Sequence, residues 1–158
     1  MASEPISIEE AAGIGARVFA LVRACPAGRV TTYGWIAAAL GYRGGGGARM
    51  VGWYLNEVTD EHAVPAHRVI NSKGELTGSW AFGKTGRMHD LLVAEGVAFT
   101  TAGRVDLKRY GWDPVRDLRE DERVSLFEQA PSAESAVTPR LLRLLREDPA
   151  SPVRPAQE

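Results

Sequence analysis

The sequence predicts a mainly α fold with a small β-hairpin, arranged as a winged helix-turn-helix. Three observations predict it. Apolar residues recur at helical spacing along most of the first 95 positions. Two short helical runs, "VTTYGWIAAALGY" and "ARMVGWYLNEV", are separated by a glycine-rich break. A short β-branched run is followed by the turn sequence Asn71-Ser72-Lys73-Gly74. At 158 residues, 44% hydrophobic and 25% charged, the chain fits one globular domain with a real core, and a second full domain has no room.

Each element has its own signal. Ser7 followed by Glu10 is a capping box, and it opens a helix running to about Ala24, ended by Pro26 and Gly28. Thr31 and Thr32 suit the N-cap of a second, short helix with Tyr33 in its first turn and Gly41 at its C-terminal end. Glycines 44 to 47 break the chain before a third helix, where Val51, Leu55 and Val58 share one face with Tyr54 beside them. Arg49, Gly52, Trp53 and Asn56 fall on the opposite face. Val69 and Ile70, the turn at 71–74 and Leu76 read as a hairpin, the wing. "GKTGRMHDLLVAEGV" is a fourth helix, with Met88, Leu91 and Leu92 inward and Gly96 as its stop; "RVDLKRYGWDP" supplies a hairpin or strand that closes the domain near Pro114.

Residues 1–114 therefore form the domain, and residues 115–158 a charged, Pro-rich C-terminal extension, partly flexible. Within the extension "TPRLLRLLRED" has the pattern of an amphipathic helix, either packed back on the domain or offered to a partner. If the extension is only a recruitment segment, truncation at Pro114 preserves the activity of the domain.

Composition excludes several function classes. The longest apolar stretches, 18–22 and 36–40, fall far short of the roughly 20 residues that cross a bilayer. The acidic start "MASEPISIEE" lacks the pattern of an export signal, so a soluble cytoplasmic protein is expected, with no membrane partner. A lone cysteine, Cys25, rules out an internal disulfide and a cysteine-cluster zinc site, and no metal or cofactor is expected. Its helical spacing with Val18, Leu21 and Val22 marks it as a small buried thiol. Residues 15–114 hold 12 Lys+Arg against 8 Asp+Glu, whereas the two ends hold 7 against 12. A mildly basic body with acidic ends is compatible with a polyanionic partner.

One stretch carries a chemical question. In "VPAHRVINSKG", Pro65 and His67-Arg68-Val69 have the look of a nucleophile's frame, yet the enclosed residue is Ala66, whose methyl group cannot attack. Together with "CPAGRVTTYGWIA", "GGARMVGWYL" and "LLVAEGV", this motif resembles, in order and spacing, the DNA-binding domain of the O6-alkylguanine-DNA alkyltransferases, over about residues 15–114. With Ala66 at the acceptor-cysteine position, the chain resembles the alkyltransferase-like members, which have Trp or Ala there.

The resemblance implies a monomeric, non-enzymatic protein that binds O6-alkylguanine in duplex DNA through the minor groove. It flips the lesion into a pocket and marks it for nucleotide excision repair proteins, and is nucleoid-associated while bound. By the same resemblance, Arg49 is the intercalating arginine, Tyr33 displaces the target phosphate, and Ala48 and Gly52 allow close approach to the groove. Pro65, Ala66, His67, Ser79 and Trp80 line the lesion pocket, and His67 with Glu95 is a relay left without a thiol to activate. Arg68 reads as an internal ion-pair or hydrogen-bond partner. Two positions depart from the transferases: Ser79 replaces a frequent Tyr, and Val58 a usual Asn. Two other readings stay open, a helix-turn-helix transcriptional regulator and an active transferase using Cys25.

Overall fold

The computed structural model describes residues 4–77 and 85–155. Helix α1, Ile8–Ala24, begins where its capping box places it: the Glu10 N–H donates to Ser7 Oγ at 3.0 Å and the Ser7 N–H to Glu10 Oε1 at 3.3 Å. Its stripe Ala11, Ile14, Val18, Leu21 and Val22 is fully or almost fully buried, which makes α1 the spine of the larger core.

Strand β1, Thr31–Thr32, leads directly into α2, Tyr33–Ala39, because the Thr32 side chain caps the helix by accepting from the Trp35 N–H at 3.0 Å. Helix α3, Gly45–Leu55, packs closely on α2. The glycine run is thus not a simple break: only Gly44, with φ 86°, stands outside as the N-cap, and the next three glycines form the first turn of α3. Gly47 is needed for contact, since a Cβ there would stand 2.9 Å from Tyr42 Cβ and 3.1 Å from Ala37 Cβ.

Burial on α3 is wider than a single stripe. Met50, Val51, Trp53, Tyr54 and Leu55 are all buried, so Trp53, placed on the open face by periodicity, belongs to the core. At 100° per residue these five span about 200°, leaving a narrow open strip of Gly45, Ala48, Arg49, Gly52 and Asn56. Val58 lies beyond the helix end.

The small β component also differs from the expected hairpin. Strand β2, Val69–Ile70, pairs in parallel with β1, Thr31 opposite Val69 and Thr32 opposite Ile70. The turn after it forms as its residues dictate, with Asn71 Oδ1 accepting from the N–H groups of Lys73 and Glu75. The turn closes with the Asn71 N–H donating to the Glu75 carbonyl at 3.1 Å and goes no further as a ladder among the described residues, while the Gly74 carbonyl accepts from the Val105 N–H at 2.8 Å. Helix α4, Thr85–Ala94, ends in a Schellman arrangement on Gly96, with Val97 N–H donating to Leu92 O and Gly96 N–H to Val93 O. Met88 and Leu92 are buried as expected, Leu91 only in part. Phe99 and Val105 form an antiparallel bridge, a helical turn α5 covers Leu107–Tyr110, and Gly111 bridges in parallel to Val30.

The composition change after Pro114 does not mark the edge of the core. Helices α6 (Pro114–Asp117), α7 (Glu120–Glu128) and α8 (Pro139–Glu147) follow, with a 3₁₀ turn at Glu134–Ala136. Leu141 and Leu145 of α8 and Ala136 are completely buried in the same core cluster as α1 and α3. Apolar residues four apart on α8 find their cover on this chain's own helices, so part of the segment expected to form an extension packs into the core. No helix among the described residues is long and apolar enough to cross a membrane.

Candidate nucleic-acid interface

A cleft of about 480 Å³ opens at the C-terminal end of α3, lined among others by Leu55, Val58, Val64, Pro65, Ala66 and His67. Ala66 and His67 enter it from a 3₁₀ turn, Ala66–Arg68, that leads straight into β2; both residues are buried. The short parallel sheet therefore ties this turn to the start of α2, which follows the other strand.

Beneath the floor, Glu95 is a hub. His67 Nε2–H donates to its Oε1 at 2.6 Å, Arg68 Nη2–H donates to Oε1 at 2.8 Å and Nε–H to Oε2 at 3.0 Å, and the Gly28 N–H reaches Oε2 at 3.3 Å. Arg68 Nη1–H also donates to the Cys25 carbonyl at 2.9 Å. Burial by itself would push the Glu95 carboxyl up, but the hydrogen bonds from Arg68, His67 and Gly28 outweigh it and hold the group at about 2. Arg68 is thus an internal partner, as its neighbours in sequence suggest.

Cys25 is fully buried, and burial pushes its thiol up to about 12. Its Sγ–H lies against two backbone carbonyl oxygens, Arg29 O at 3.7 Å and Pro26 O at 3.9 Å. A thiol so placed is neither ionised at neutral pH nor open to a substrate.

The open strip of α3 meets α2 at Tyr33. A Cβ on Gly52 would lie 3.8 Å from the Tyr33 ring, and the Tyr33 hydroxyl bonds Thr77, donating to its carbonyl at 3.3 Å and accepting from its Oγ1 at 3.2 Å. Arg49 is one turn earlier on the same strip, its side chain 62% exposed, about 9 Å along the axis from Leu55 at the cleft. Tyr33, Ala48, Arg49 and Gly52 thereby share one surface, and Pro65, Ala66 and His67 share the cleft beside it. Ser79 and Trp80 lie outside the described residues.

Sequence reasoning missed the device that holds the cleft wall. His62 is buried; its Nδ1 accepts from the Thr59 N–H at 3.0 Å, which leaves Nε2–H to donate to Ser135 Oγ at 2.9 Å. Arg23 of α1 donates to the His62 carbonyl at 2.6 Å. The adjoining Ala63, also in the wall, takes the left-handed conformation with φ 51°. A histidine three residues after a threonine is the faint local signal; its partner Ser135 is 73 residues away. Among the described residues no group of three or more His, Cys, Asp or Glu is placed to hold a metal ion.

Comparison with known proteins gives one consistent result. The family model for the 6-O-methylguanine DNA methyltransferase, DNA binding domain, matches residues 14–97. A DNA base-flipping protein of Escherichia coli K12 is 39% identical over 99 residues, which are 61% of this chain and 72% of that protein. Alkyltransferase-like protein 1 of Schizosaccharomyces pombe is 36% identical over 102 residues, 62% of this chain and 93% of that protein. The crystal structure of S. pombe Atl1 in complex with damaged DNA containing O6-carboxymethylguanine is similar at a TM-score of 0.55 and 35% identity, covering 64% of this chain and 95% of that one.

Proposed function

Because the chain belongs to the family of the 6-O-methylguanine DNA methyltransferase DNA-binding domain, with alkyltransferase-like and base-flipping relatives, we propose that it is a non-enzymatic sensor of O6-alkylguanine in duplex DNA. The observation that carries this reading is the methyl group of Ala66, buried at the cleft floor above an intact His67–Glu95–Arg68 hub. On this reading the frame that would orient an acceptor is kept, and Ala66 stands where the acceptor would be.

A base in a duplex is reached only by extruding it, at a cost of a few kcal/mol in stacking and pairing. Arg49 offsets part of that cost by filling the gap, its planar cation stacking on the neighbouring bases. Gly45, Ala48 and Gly52 give α3 a thin edge suited to the minor groove, and Tyr33 stands beside it to redirect the backbone phosphate. The cleft at Pro65, Ala66 and His67 receives the base, and a methyl in place of a thiol leaves room for alkyl groups larger than methyl. Since the thin strip has few long polar side chains, readout of an undamaged sequence through the major groove fits it poorly. Marking the lesion for nucleotide excision repair follows from the same resemblance.

The test is a binding titration at fixed salt with duplexes carrying methyl-, benzyl- and larger O6-alkylguanines, repeated with Arg49→Ala and Tyr33→Ala. Preference for every modified duplex is expected, reduced at least tenfold in Arg49→Ala. Equal affinity for modified and unmodified DNA would sink the proposal. Radiolabelled methylated DNA should leave no label on the protein, and retained label would restore the transferase reading.

A further inference from the structure

The family model stops at residue 97, but the open strip of α3 is touched by a residue far beyond it. Arg49 Nη2 lies 3.7 Å from Asp148 Oδ2. The two partners are unequal: the arginine side chain is 62% exposed, the aspartate 18%. Asp148 is held where α8 ends, its own N–H donating to Leu144 O at 3.0 Å and its Oδ1 accepting from the Ala150 N–H at 2.8 Å. The next turn is anchored by Ser151, buried, whose hydroxyl donates to Leu145 O at 2.6 Å. The Ala150 carbonyl rests against Gly46, three residues before Arg49, so closely that a Cβ there would collide with it.

A fixed carboxylate therefore borders the surface on which a duplex would lie, and the cation it faces is the one free to swing. We infer that Asp148 is a positioning residue for Arg49, a resident counter-ion from which the arginine must be released before it can enter DNA. The inference rests on the proposed intercalating role of Arg49. An exposed ion pair of this length is weak, so release is easy. The carboxylate nevertheless acts on binding twice: it competes for the guanidinium, and it remains as a negative charge near the phosphates once the arginine has left. The first effect operates only through Arg49. It raises the threshold for insertion and so favours sites where a flipped base gains contacts in the cleft.

The experiment is a double-mutant cycle on the full chain, with wild type, Asp148→Asn, Arg49→Ala and the double variant titrated against an O6-methylguanine duplex and its unmodified counterpart at fixed salt. Asparagine keeps the Oδ1 acceptor for Ala150, and unchanged thermal unfolding confirms that the end of α8 is intact. Asp148→Asn should bind the lesion duplex about two- to five-fold more tightly in the wild-type background, the range expected for losing one exposed pair, and gain clearly less when Arg49 is alanine. Equal gains in both backgrounds would reduce Asp148 to general repulsion and overturn the inference. So would unchanged or weaker binding by Asp148→Asn while Arg49→Ala still loses lesion affinity, and that outcome leaves the proposed function standing. Full lesion affinity in Arg49→Ala would instead remove the intercalating role, and the inference with it.

Discussion

Glu95 shows how one carboxylate can tie three separate segments of the chain together. Its carboxylate joins α4 to the cleft floor through His67 and Arg68 and to the loop before β1 through Gly28. Its folded-state value of about 2 lies below the ordinary 4.5. The unfolded chain therefore binds this proton more readily, so the hub's contribution is complete above about pH 4.5 and is lost as the pH falls toward 2. Glu95→Gln should flatten that acid limb in denaturant titrations run from pH 6 to 2.5. At neutral pH it should cost about 2–3 kcal/mol, because Arg68 keeps a part-buried charge with half its partners gone. An unchanged acid limb would show that the hub does not couple the cleft to the fold. His67 and Glu95 were legible together only because a family pattern joins them. The bonds of Tyr33 to Thr77 and of His62 to Ser135 span 44 and 73 residues, and polar contacts at such distances leave no periodic trace in a sequence.

At the scale of the element, α3 divides its small residues between two tasks. Gly47 faces α2 with no space for a methyl, whereas Gly52 faces Tyr33 at ordinary contact distance. Gly47→Ala should therefore destabilise the fold by about 1–3 kcal/mol through overpacking. Gly52→Ala should leave stability unchanged or raise it by up to about 1 kcal/mol from helix propensity, while weakening DNA binding by thickening the strip. Urea unfolding and a duplex titration on both variants separate the effects; a Gly52→Ala protein with full DNA affinity would move the contact surface off this face. Periodicity found the Val51–Leu55 stripe of α3 but not the burial of Trp53, since it assigns one covered face and the helix is covered over a wider arc. Likewise the run of glycines reads as a break from composition, although close approach, visible only in three dimensions, is what requires Gly47.

Over the whole molecule, the question is what residues 115–155 are for. Their charge and proline content are those of a solvated extension, and α7 buries no side chain completely, although Phe127 packs against the core. The same segment nonetheless places Ala133, Ala136, Leu141 and Leu145 in the main core and supplies Ser135 as the partner of His62 and Asp148 to the α3 surface. Mean composition conceals this because a few buried leucines at helical spacing suffice to dock a helix whose other faces remain charged. Truncation at Pro114 would uncover α1 and α3 where α8 now lies, and would leave His62 Nε2–H without its acceptor. A chain of residues 1–114 should accordingly melt more than about 10 °C below the full chain or lose its cooperative transition, and bind lesion DNA poorly for that reason. Leu141→Ala, which removes one completely buried side chain and no charge, should cost about 2–5 kcal/mol in the full chain. If the truncated protein instead melts like the full chain and keeps lesion affinity, the C-terminal helices are an appendage and the binding surface is complete without them.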